Sequence, residues 1–112
     1  MLLWLVAIAV VAAGELLPGN SRPMEWIGAS HISDKLLHFS AYTGLAFIPV
    51  LGFRLRAGLV AAASMILLGI ALEYGQTLVP GRSFDSADMA ANAAGVFLGA
   101  SIGLLIRKRP KL

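Results

Sequence analysis

Apolar residues fall along this chain in long unbroken blocks, with neither the strict alternation of a half-buried strand nor the single stripe of a surface helix. Blocks over residues 36–53 and 57–79, and a third from about 84 to 106, have the length of about 18 to 23 residues that crosses a hydrocarbon layer of about 30 Å. A further block, residues 1 to about 17, is shorter and is interrupted by Glu15. Its small-residue string Val11-Ala12-Ala13-Gly14 is similar to the end of a signal peptide, but the apolar core lacks a basic flank. The segment is therefore read as a retained first transmembrane helix that stops at Pro18-Gly19. The pattern predicts an all-α fold: a polytopic integral membrane helical bundle of about four transmembrane helices. It forms one transmembrane domain over residues 1–112, without internal repeat, low-complexity segment or separate soluble domain.

Composition strengthens that reading. Of 112 residues, 58% are hydrophobic and 13% charged, and the mean hydropathy is +0.80. A water-soluble domain of this size has too little interior to hide so much apolar surface. The lipid bilayer is thus the first expected partner, and the expected location is the cell membrane, as a multi-pass protein. Charge sets the orientation. Arg54 and Arg56 lie in the short turn between the second and third helices, and Arg107, Lys108, Arg109 and Lys111 follow the fourth. The opposite side carries only Arg22, Lys35 and Arg82 as cations. Basic residues collect on the cytoplasmic side, so both termini are expected there. The net charge of +3 then reflects orientation, and no nucleic-acid partner is expected. The chain has no cysteine, which excludes disulfides and Cys-ligated metal.

With this orientation the polar residues within the helices fall at one depth, near the outer ends. On the second helix Asp34, His38 and Tyr42 recur every fourth residue, placing a carboxylate, an imidazole and a phenol on one face over about 12 Å; Lys35 sits beside them. On the third, Glu73 and Gln76 share a face that Gly69 continues inward. On the fourth, Asp85, Asp88 and Asn92 share a face that continues as Gly95, Gly99 and Gly103. A glycine at every fourth position lets a neighbouring helix approach closely. The polar groups are expected to point into the bundle and pair there.

The ordered motifs "LLPG" (16–19), "DKLLHFSAY" (34–42) and "EYGQTLVPGRSFDSADMAANAAG" (73–95) resemble the VanZ-like family of membrane proteins over nearly the whole chain. The positions that carry the resemblance include Asp34, Lys35, His38, Tyr42, Glu73, Gln76, Pro80-Gly81-Arg82, Asp85, Asp88, Asn92 and Gly95. It implies a compact integral membrane protein built mainly of helices. In function it implies a link to low-level resistance to teicoplanin, a glycopeptide that acts outside the membrane, without an established reaction.

An ionisable group at membrane depth costs about 2.5 to 3.5 kcal/mol on insertion scales, so Glu73 needs a partner, a proton or water. Arg82, Lys35 or protonated His38 would supply positive charge, and Gln76 or Tyr42 a hydrogen bond. The plain structural role is to tie the third helix to the second. Asp34, one turn before His38, would fix the imidazole tautomer and raise its basicity, giving a catalytic reading to His38, Glu73 and Asp34. The other candidates, Lys35, Tyr42, Gln76, Arg82, Asp85, Asp88 and Asn92, are ligand-binding. Arg82 follows a Pro80-Gly81 turn, at the level of a lipid phosphate or of the Asp85 and Glu73 carboxylates. His38, Glu73, Asp85 and Asp88 lack the spacing of a zinc site, and no serine or threonine forms a nucleophile motif, so no metal and no cofactor is expected. Trp4 and Trp26 suit membrane interfaces, His31 lies in the polar outer link, and Pro49 should kink the second helix.

Two functions follow. One is a factor that binds a lipid-linked or cell-wall-precursor ligand; the other is a membrane hydrolase or transferase using His38 and Glu73 as acid and base on a lipid headgroup. Whether the protein is an enzyme stays open at this point. A transporter comes third, because four short helices leave room for a conduit only in a homo-oligomer.

Overall fold

The computed structural model describes residues 1–16, 34–79 and 86–108, the side chain of Asp34 excepted. These residues form four α-helices in chain order: α1 (Leu2–Glu15), α2 (Asp34–Gly52), α3 (Leu55–Gln76) and α4 (Ser86–Arg107). Among the described residues there is no strand. The boundaries follow the apolar blocks to within a few residues. Pro18-Gly19, Arg22, Trp26, His31, the Pro80-Gly81-Arg82 turn, Asp85, Arg109 and Lys111 lie outside the described residues.

α3 and α4, 22 residues each, are long and apolar enough to cross a membrane, since 22 residues extend about 33 Å. Only 33% and 28% of their most apolar windows are buried within the protein, where the core helix of a soluble domain is mostly buried. Val60, Leu67, Phe97 and Leu105 point away from the bundle, each more than 60% exposed, a surface that water does not favour and lipid does. α1 is apolar but has 14 residues.

Direction follows from which residues meet. The end of α1 (Glu15), the start of α2 (His38), the end of α3 (Gln76) and the start of α4 (Asn92) come together at one end of the bundle. Trp4, Phe53, Val50 and Arg107 meet at the other. α1 and α3 thus run towards the first end, α2 and α4 away from it. Arg54, Arg56, Arg107 and Lys108 all belong to the second end, while Glu15, Glu73 and Asp88 belong to the first with Lys35 as the one cation among the described residues there, so charge is unevenly distributed along the bundle.

α2 and α4 form the closest pair, and glycine is the reason. A Cβ on Gly95 would run into the Phe39 carbonyl oxygen, one on Gly99 into the Thr43 carbonyl oxygen, and one on Gly103 would come within 2.9 Å of Val50 Cγ1. The glycine stripe therefore packs backbone against backbone within the chain. Across the bundle, Gly58 of α3 sits under Pro49, where a Cβ would lie 2.5 Å from the Pro49 oxygen.

Pro49 also explains how α1 docks. Proline has no N–H, so the carbonyl one turn earlier, that of Leu45, loses its helical donor. The Trp4 indole Nε1–H donates to Leu45 O at 2.8 Å, and its ring packs edge-on against Phe53 at 5.4 Å. The interfacial position expected for Trp4 is therefore corrected: Trp4 is 9% exposed and belongs to the core with Tyr42, Leu45, Ala46, Val50 and Met65. Where no water reaches, an orphaned carbonyl is costly enough for an indole to be recruited. At the second end Arg107 closes α2, donating from Nη1 to Val50 O at 2.9 Å and also to Phe53 O. A cation on the last carbonyls satisfies orphan acceptors and opposes the negative end of the helix dipole.

Candidate functional site

The first end of the bundle holds a buried polar cluster drawn from all four helices. His38 is at its centre, 8% exposed. Its Nδ1 lies 2.9 Å from Asn92 Oδ1 on α4 and 3.1 Å from Glu15 Oε1 on α1. Its Nε2 lies 3.9 Å from Asp88 Oδ2. The Tyr42 hydroxyl donates to Glu15 Oε2 at 3.1 Å. Gln76 Nε2 donates to the Glu15 backbone carbonyl at 2.7 Å, capping the end of α1. Asp88, in the first turn of α4, is favoured there by the positive end of the helix dipole. Its Oδ1 faces Lys35 Nζ at 3.7 Å. Lys35 is the half-exposed member, with 53% of its side chain accessible, and marks the outer edge of the cluster.

Local sequence accounts for each placement. The four-residue spacing puts His38 and Tyr42 on one face of α2, and Asp88 and Asn92 on one face of α4. The glycine stripe draws these two faces together. Gly69 leaves room on α3 for Asn92 and Tyr42, since a Cβ there would come within 3.0 Å of Asn92 Nδ2 and 3.4 Å of Tyr42 Cε1. One turn on, Glu73 is 1% exposed, buried on the same face of α3 as Gly69.

The structure thus gathers Lys35, His38, Tyr42, Glu73, Gln76, Asp88 and Asn92, as their spacing suggested. Asp34 opens α2, with its side chain outside the described residues; Arg82 and Asp85 also lie outside them. Sequence reasoning missed Glu15. It reads there as the interruption of the first apolar block, yet it is 9% exposed and brings a carboxylate to within 3.1 Å of His38 Nδ1. The available signal was an acidic residue closing an otherwise apolar helix, which at membrane depth implies a partner.

Three buried carboxylates, an imidazole, a phenol and two amides pair with one another here. Such a network orders the helix ends and can hold or pass a proton. Among the described residues no group of three or more His, Cys, Asp or Glu side chains is arranged to hold a metal ion.

Comparison with known proteins gives one result of weight. A family model described as VanZ/LLP1 matches residues 4–107, from Trp4 on α1 to Arg107 at the end of α4. No curated protein and no solved structure matches the chain significantly.

Proposed function

The chain belongs to the VanZ/LLP1 family, and from that premise we propose that it is a multi-pass protein of the bacterial cytoplasmic membrane whose polar cluster faces outward and binds a lipid-linked or cell-envelope ligand. Binding there would alter the response to a glycopeptide such as teicoplanin. One observation carries this reading: the polar cluster sits at the end opposite Arg54, Arg56, Arg107 and Lys108. Cations mark the cytoplasmic face, so the cluster belongs at the outer one. All four helices then cross or nearly cross the bilayer, and both ends of the chain are cytoplasmic. Lys35 forms the rim that meets an anionic headgroup, and Arg82 and Asp85 are assigned to the same ligand; His38, Tyr42, Gln76, Asp88 and Asn92 hold the buried floor. Glu73 secures that floor from α3.

The enzyme alternative uses the same residues differently, with His38 and Glu73 as acid and base. The two part on His38→Gln and Arg82→Ala, compared at matched membrane levels by teicoplanin susceptibility and by mass spectrometry of cell lipids. For a binding protein, His38→Gln keeps a hydrogen-bonding group and costs about 1 kcal/mol, roughly a fivefold loss of affinity. Arg82→Ala removes a charged donor and costs more, and the lipid pool is unchanged. An enzyme would lose about 10² to 10⁴-fold in turnover with His38→Gln. A modified lipid that disappears in that variant overturns the binding reading.

A further inference from the structure

The two ring nitrogens of His38 face different chemistry. Nδ1 has Glu15 Oε1 at 3.1 Å and Asn92 Oδ1 at 2.9 Å. Nε2 has Asp88 Oδ2 at 3.9 Å, beyond hydrogen-bond reach. A carboxylate can only accept, whereas an amide can turn to offer oxygen or nitrogen. Asn92 therefore adapts to whichever tautomer the ring adopts, while Glu15 dictates one. Its oxygen Oε1, 3.1 Å from Nδ1 but outside hydrogen-bond geometry, favours the proton there by its negative charge, while the Nδ1 hydrogen bond itself is made with Asn92 Oδ1. Asn92 conforms: its oxygen faces Nδ1, although this leaves its buried Nδ2 without a hydrogen bond among the described residues. The Glu15 carboxylate is itself held from two other helices, by the Tyr42 hydroxyl on Oε2 and by Gln76 on the adjoining backbone carbonyl.

We infer that Glu15 is a positioning residue, which fixes the His38 proton on Nδ1 and turns the Nε2 lone pair to the Asp88 and Lys35 side as the acceptor for a hydroxyl or ammonium group of the ligand. This makes α1 part of the site. It rests on the reading of the cluster as a ligand site, and it narrows the ligand to one that presents a hydrogen-bond donor beside its anionic group.

The test is ¹⁵N NMR of ring-labelled histidine in the full chain in lipid nanodiscs. A His31→Gln background leaves His38 as the only reporter, since the chain has two histidines. In buffer alkaline enough for the ring to be neutral, Nδ1 is expected to carry the proton and Nε2 to give a pyridine-type resonance. Glu15→Gln keeps size and shape but puts a second adaptable amide at Nδ1. Among the described residues the acceptor-only group left facing the ring is then Asp88, and the proton moves to Nε2, exchanging the two resonance types. Retention of the proton on Nδ1 in Glu15→Gln, or a proton on Nε2 in the parent, overturns the inference. Should Glu15→Gln fail to fold, Asp88→Asn decides: the Nδ1 proton stays if Glu15 sets it, and its loss overturns the assignment. These spectra need no ligand, so they test the positioning separately from the susceptibility assay, which tests the binding reading.

Discussion

Gly99→Leu is expected to abolish the folded bundle. Even a methyl group at this position collides with the Thr43 carbonyl oxygen, a backbone atom that no rotamer change can move aside. Overpacking with flexible neighbours costs about 1 to 3 kcal/mol, and here α2 and α4 must separate along their contact. That separation would also part His38 from Asn92, so stability and site fail together. Gly44 is the control. It lies on the same helix as Thr43, with nothing within 4 Å of a built Cβ, and Gly44→Ala is expected to be neutral or to stabilise by about 0.5 to 1 kcal/mol. Thermal unfolding in detergent, read by circular dichroism with size-exclusion recovery, measures both. A Gly99→Leu protein that melts with the parent would show that the close approach is not real.

The second large effect is expected from His38→Leu. The imidazole is the partner of Glu15 Oε1 and Asn92 Oδ1, and it faces Asp88 Oδ2. Leucine fills the space and leaves a buried carboxylate facing an apolar side chain. Leaving a buried charged group without its polar partner costs the desolvation penalty of that group, about 1 to 3 kcal/mol or more. His38→Gln, which can still donate towards Glu15, should retain most of that stability. The same unfolding assay, with quantification of membrane-inserted protein, separates them: a large loss for leucine and a small one for glutamine. Equal melting of the two variants would mean that the imidazole carries no share of the network.

The helices and much of the cluster were legible in the sequence, because both depend on local spacing. Uninterrupted apolar length marks a membrane-crossing helix, and a four-residue repeat marks a face, so His38 with Tyr42 and Asp88 with Asn92 could be placed before any contact was known. The glycine stripe announced a close helix pair in the same way. Glu15 and Trp4 were not legible. α1 is apolar on every side, so its sequence selects no face and no depth, and its partners lie far along the chain. Trp4 answers a vacancy created by Pro49, and Glu15 answers an imidazole on α2; neither need is visible from α1 itself. Interfacial preference is a sound rule for tryptophan in lipid, but an orphaned carbonyl in the core outweighs it.

The central claim is that the polar cluster opens on the outer face of the membrane, opposite the basic end. The absence of cysteine from the chain allows a direct measurement. Single cysteines are placed at Lys35, on the exposed rim of the cluster, and at Arg56, in the first turn of α3 at the basic end, and intact cells are treated with a membrane-impermeant maleimide. Lys35→Cys is expected to label in intact cells, and Arg56→Cys only after permeabilisation. Labelling of Arg56→Cys in intact cells, with Lys35→Cys protected until the membrane is opened, would place the cluster in the cytoplasm and contradict the claim.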